Sequence, residues 1–359
     1  MNKKKNVIIP LCISFSIIYI ILSARPLAKE LHIVPQWTID VSRPLTAKAA
    51  SAVDEEAFAN AIPFKLAQTL GYFTEDGTVL IDTTFDYKAT IAKRYYATYN
   101  THSMPITVYT SNGNVAAKIE QTGFPYFTDD GLYLFLPGGS SFAQLGEDGA
   151  LLWKYESYAP ITAFGTAPFG CITGFADGTV VSFDKNGNLD QQFEPAGSDY
   201  PIILGVALSA SGEMLACVSG QEKQRFVLAH RLNAHTEIIY HEYLTNEVTR
   251  QLPVVFSRDE RYVYYNDANG LGIVDTAARK GSHIALNGKI LSMKEAEDSA
   301  TMFVLSRDGD TYTVSIVEPF DTHAGSFSFT ASNAFIAVKG NALFVGRDGT
   351  ISRMNIVQK

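Results

Sequence analysis

Between Ile161 and Pro195 the apolar positions fall into short runs, ITAF, GCITGF and TVVSF, followed by NLDQQF. Pro168-Phe169-Gly170, Asp177-Gly178 and Asn186-Gly187 separate them. Asp-Gly and Asn-Gly pairs between such runs are the strongest short-range hairpin signal, because their backbone takes positive φ at little cost. The pattern predicts four strands joined by tight turns, an antiparallel meander. One such sheet leaves both faces wet and needs neighbours.

The chain supplies them. Similar turns recur at Asp76-Gly77, Asn112-Gly113, Asp130-Gly131, Asp148-Gly149, Asn269-Gly270, Asp308-Gly309 and Asp348-Gly349. Ser211-Gly212 and Asp259-Glu260 hold similar places. Cutting before each first strand yields units near Phe64–Gln121, Phe124–Tyr158, Pro160–Pro195, Tyr200–Leu244, Leu252–Leu286, Lys289–Phe329 and Asn333–Val357. Repeats of this length built from strands predict an all-β fold, a β-propeller of about seven four-stranded blades. Six or eight blades also fit, since Phe64–Gln121 is oversized. The last unit holds three strands, and the alternating run Ile33–Val41 is expected to complete it, closing the ring with both chain ends. Leu45–Asn60 is Ala-rich and reads as a short helix or a polar crossing segment.

Composition agrees with a large core: 359 residues, 46% hydrophobic and 18% charged, with 18 Tyr and 22 Phe. Lys3, Lys4 and Lys5 precede Val7–Ala24, which holds no charge. Eighteen apolar residues just span a bilayer core of ~30 Å, and the lysines orient it. Residues 1–24 are therefore expected to form a cytoplasmic tip and retained transmembrane signal anchor. Residues 25–63 then form the closing strand and linker, and 64–359 the propeller, displayed outside a bacterial inner membrane. A cleaved signal peptide is the rival reading of the same stretch. Without residues 1–24 the formal net charge moves from −8 to −11, because three lysines and no acids are lost. That balance argues against nucleic acid as a partner. Cys171 and Cys217 sit in apolar runs and are expected to be free, buried thiols.

GFADGTVVSFDKNGNLDQQF, with Asp177-Gly178, Asp184, Gly187 and Phe193, resembles the repeat of PQQ-like propellers. LGEDGALLWKY, with Asp148-Gly149 and Trp153, resembles it less fully. FSRDERYVYYNDANGLGIVDTA (Phe256–Ala277) is similar to the WD-repeat and TolB-like pattern. The resemblance covers most of Phe64–Val357 and implies the fold, not a function. The quinoprotein dehydrogenases that share this blade stack their cofactor on paired cysteines and a tryptophan. No Cys-Cys pair occurs here, so no cofactor is expected.

Other candidate chemistry is thin. His230, His235 and His241 lie close in sequence, but a hairpin at Asn233-Ala234 pairs Leu232 with His235 and His230 with Glu237, separating His230 from His241. Ser306–Tyr312 is similar to the aspartate box of sialidase propellers, one residue short, and reads as another hairpin turn. No G-x-S-x-G, P-loop, H-E-x-x-H or Rossmann fingerprint occurs. AKRYYATYNTHSMPITVY concentrates Arg94, Tyr95, Tyr96 and Tyr99, residue types that anchor protein interfaces. The expected function is a non-catalytic, membrane-anchored scaffold binding proteins of the cell envelope. The alternative is an envelope enzyme, hydrolase or quinoprotein-like oxidoreductase, with its site in the central funnel.

Overall fold

The computed structural model describes residues 12–16, 19, 31–42, 55–100, 104–232 and 235–358. Eight sheets follow one another around a ring. Blade 1 spans 62–84, blade 2 88–119, blade 3 124–156, blade 4 161–193, blade 5 200–243, blade 6 254–285 and blade 7 289–330. Blade 8 joins 334–358 to Leu31–Asp40. The expectation of seven blades is corrected to eight: the oversized unit Phe64–Gln121 holds two sheets, the first with only three strands.

Closure is by both ends of the chain. Leu31–Asp40 pairs antiparallel with Thr350–Gln358 as the outermost strand of blade 8. An outermost strand tolerates Pro35, which has no N–H to give to the ladder, and the register shifts between Pro35 and Trp37. Trp37 packs on Phe73 of blade 1 and Phe344 of blade 8, and its indole N–H donates to the Glu75 carbonyl (3.2 Å).

Each seam between blades is filled by buried apolar side chains from the two facing sheets. Cys171 packs with Tyr133 and Phe142 between blades 3 and 4. Cys217 packs with Ile172 and Ala163 between blades 4 and 5. The two thiols are free and lie in different seams, on either side of the blade 4 sheet. Turns pack across seams too: Gly187 takes φ +80°, and a Cβ there would come within 2.4 Å of the Trp153 ring of blade 3.

Two faces can be distinguished. In a four-stranded blade the first and third turns open on one face, here called the turn face. The middle turn and the link to the next blade lie on the other, the connection face. Three-stranded blade 1 breaks the rule. Its innermost strand Ile62–Leu66 ends beside Gln68, whose carbonyl binds the Phe85 N–H (3.0 Å) just before blade 2 begins. It therefore runs opposite to Lys88–Ile91, the innermost strand of blade 2. Helix Glu55–Ala59 precedes this strand on the turn face.

The expected transmembrane helix over Val7–Ala24, and the inner-membrane placement resting on it, are overturned. Among the described residues no helix is long and apolar enough to cross a membrane. Within that stretch helical backbone is described at 12–16 and 19. The rest of it lies outside the described residues.

Candidate functional site

A groove of about 820 Å³ opens on the turn face between blades 2 and 3. Its walls are the turns 92–94 and 111–113 of blade 2 and 128–131 and 145–147 of blade 3, with Phe58 of the short helix at one side. Arg94 stands at its rim. The guanidinium pairs with Glu147 (2.8 Å), lies over the Tyr95 ring (5.3 Å) and donates to the Tyr95 hydroxyl (3.3 Å). Arg94 and Glu147 are both well exposed, so their pairing adds little stability and serves chiefly to fix the side chains. Partial burial raises the Tyr95 phenol pKa, keeping it a neutral donor. Leu152, exposed at the start of the outermost strand of blade 3, gives the groove an aliphatic wall.

The four side chains singled out in the sequence divide here. Arg94 and Tyr95 line the groove; Tyr96 and Tyr99 do not. Successive strand residues point to opposite faces of a sheet. Tyr96 accordingly turns into the seam with blade 1, buried and stacked on Tyr109 (5.1 Å). Tyr99 shares the side of Tyr95 but lies at the far end of the strand, toward the connection face.

Sequence reading missed a set of acids on this same face. Asp129 of blade 3 accepts the Lys93 N–H of blade 2 (3.0 Å), and Asp130 accepts the Thr166 hydroxyl of blade 4 (3.0 Å). Glu260 of blade 6 accepts both the N–H (2.6 Å) and the hydroxyl (2.8 Å) of Ser211 in blade 5. Glu295 and Glu297 of blade 7 accept N–H groups of Arg258 in blade 6 (2.7 Å) and Gly340 in blade 8 (3.0 Å). These turns fasten neighbouring blades by charge-assisted bonds around the ring. Burial raises the pKa of Asp130 and of Glu295. The only sequence signal was acids recurring in first turns, which read as ordinary solvated turn residues.

A second cavity, about 890 Å³, is the central channel, framed by innermost strands of blades 3 to 7. Its polar lining includes Tyr126, Asp130, Gln251, Lys289 and Lys294. The two lysines occupy opposite ends of strand Lys289–Glu295, about 16 Å apart at strand rise.

A tighter cluster lies between blades 5 and 6. His283 Nδ1 meets Asp267 (3.0 Å), Nε2 meets Glu242 (3.1 Å), and the Tyr265 hydroxyl donates to Glu242. The two carboxylates hold the imidazolium, lifting its pKa to about 10, and it holds both of theirs down against burial. This is a charged clasp between blades. His230 and His235 pair along one hairpin with Glu237 and Leu232, as the turn geometry predicted. Among the described residues no group of His, Cys, Asp and Glu is arranged to hold a metal ion. Ser306–Tyr312 is a plain hairpin turn, with Arg307 bonded to the Gly309 carbonyl (2.7 Å).

A family model described as beta-propeller protein matches residues 1–359. The chain belongs to that family. It is 28% identical over 359 residues to an uncharacterized protein of Treponema pallidum (strain Nichols), covering 99% of this chain and 95% of that one. Among solved structures it is similar to BamB from Moraxella catarrhalis, with a TM-score of 0.59 and 12% identity. That alignment covers 90% of this chain and all of the other. At such identity the likeness concerns the fold.

Proposed function

We propose that this chain is a non-catalytic protein-binding scaffold, and that a partner seats in the groove between blades 2 and 3. One observation carries the reading: an exposed leucine stands beside an arginine and a tyrosine already ordered against each other, in a groove on a rigid ring. Arg and Tyr dominate interface energetics, and anchoring them beforehand reduces the entropy lost on binding. The paired charges Arg94–Glu147 and Lys93–Asp129 supply a polar rim around the apolar wall.

A photo-crosslinking residue at Leu152 should capture a discrete partner from cells of the source organism, and Arg94→Ala should abolish that product. Truncating an anchor of this type costs about 2 kcal/mol or more, at least roughly thirtyfold in affinity. Identical capture by the wild type and by Arg94→Ala with Tyr95→Ala would refute the site.

A further inference from the structure

The exposed large side chains are sorted by face. On the turn face they are aliphatic: Val115, Leu151, Leu152, Leu189 and Leu232. On the connection face they are Met104, in the middle turn of blade 2, and five aromatics, one at each of five successive links: Tyr87, Phe124, Tyr158, Tyr200 and Tyr243. Tyr87 lies between blades 1 and 2, and Phe124 opens blade 3. Tyr158 lies between blades 3 and 4, Tyr200 opens blade 5, and Tyr243 ends it. They are 42 to 108% exposed, far beyond what packing a seam requires. Pairing fixes their common face: Tyr200 opposes Gln221 and Tyr243 opposes Arg225, on either side of the middle turn of blade 5. Ser157 and Ile161 flank Tyr158 and donate to Ser140 and Gly139 in the middle turn of blade 3.

Every one of these rings has an acid within four positions: Asp86, Glu120, Glu156, Asp199 and Glu242. Glu156 is shared with Lys154 (3.0 Å), and Glu242 belongs to the His283 clasp. The arc already binds one cation of its own. The Lys88 ammonium lies 5.5 Å from the Tyr87 ring and 4.9 Å from the Phe124 ring. Electron-rich ring faces on an arc of net acidic links favour cationic side chains over anionic or purely apolar ones.

We infer that the connection face is a second docking surface, independent of the groove, for an extended cationic segment of another protein, its Lys or Arg side chains stacking on Tyr158, Tyr200 and Tyr243. A segment lying across blades 3 to 5 on this face meets the three in turn.

The test uses the full chain and short labelled peptides of alternating arginine and glycine, with glutamate–glycine peptides as the control, read by fluorescence anisotropy. The arginine peptide should bind, more weakly as salt screens the acids, and the glutamate peptide should not. Tyr158→Ser combined with Tyr200→Ser and Tyr243→Ser should weaken binding at least about tenfold. Tyr158→Ser alone, at a wholly exposed position, should weaken it about threefold without moving the melting temperature. Arg94→Ala with Leu152→Ala should leave it unchanged, which separates this surface from the groove. Equal binding of both peptides, undiminished binding by the triple variant, or self-association through these tyrosines in sedimentation velocity would overturn the assignment.

Discussion

Removing the Trp37 side chain tests how the ring is closed. Trp37 bridges the first-arriving strand of blade 8 to blade 1, touching Phe73 edge-on at 6.3 Å and Phe344 at 5.9 Å. Its indole also donates to the Glu75 carbonyl. Truncating a fully buried aromatic costs about 3–5 kcal/mol, and Trp37 is only partly buried. With the hydrogen bond, worth about 1 kcal/mol, Trp37→Ala should cost about 3 kcal/mol. Unfolding entropy scales as roughly 2 cal/mol/K per residue, so in a ring of this size the melting temperature should drop about 5 °C. Trp37→Phe keeps the ring contacts, loses only the bond, and should drop about 2 °C. Deleting Leu31–Asp40 goes further and exposes the edge of Thr350–Gln358, so aggregation in light scattering is expected. Differential scanning calorimetry decides between these outcomes. A Trp37→Ala variant melting within about 1 °C of wild type would mean that Velcro-like pairing at this seam does not limit stability.

Three further outcomes follow from the buried charges and thiols. The His283 contribution is complete below its unfolded pKa near 6.5 and is lost as pH rises through about 10. His283→Gln should therefore lower stability at pH 7 by about 1 kcal/mol, discounted because the ring is half exposed, and the gap in melting temperature should close by about pH 10. Burial raises the Asp130 pKa, so its contribution is complete below about 3.9 and lost as pH rises through the raised value. Asp130→Asn, which still accepts the Thr166 bond, should melt slightly higher than wild type at pH 7 and coincide with it near pH 3. Burial pushes both Cys171 and Cys217 thiols up to about 12, so alkylation should be negligible in the native protein. In denaturant without reductant both should be labelled, and mass spectrometry showing neither labelled would contradict free thiols.

The blades that were legible are those of four strands separated from their neighbours by recognisable turns. From Phe124 onward the sequence cuts agree with the observed blades, and the upstream alternating strand pairs where closure demanded it. Blade 1 hid because its first turn is formed by Ala67, which takes φ +52° without being Gly, Asn or Asp. Its link to blade 2, Phe85–Tyr87, has no glycine or proline either, and with only three strands the unit did not fill a full period. The site was half legible for a related reason. Composition marked Arg94 to Tyr99 as a candidate interface, but strand parity alone sends Tyr96 into a seam and Tyr95 outward, and parity needs the blade assignment that the hidden turn concealed. The acids that fasten one blade to the next, and the aromatics that line the connection face, are separated by tens of residues and converge only through closure of the ring. Each is unremarkable in its own turn. A residue type recurring on one face of a strand repeat becomes readable only once the turns fix the register of every blade.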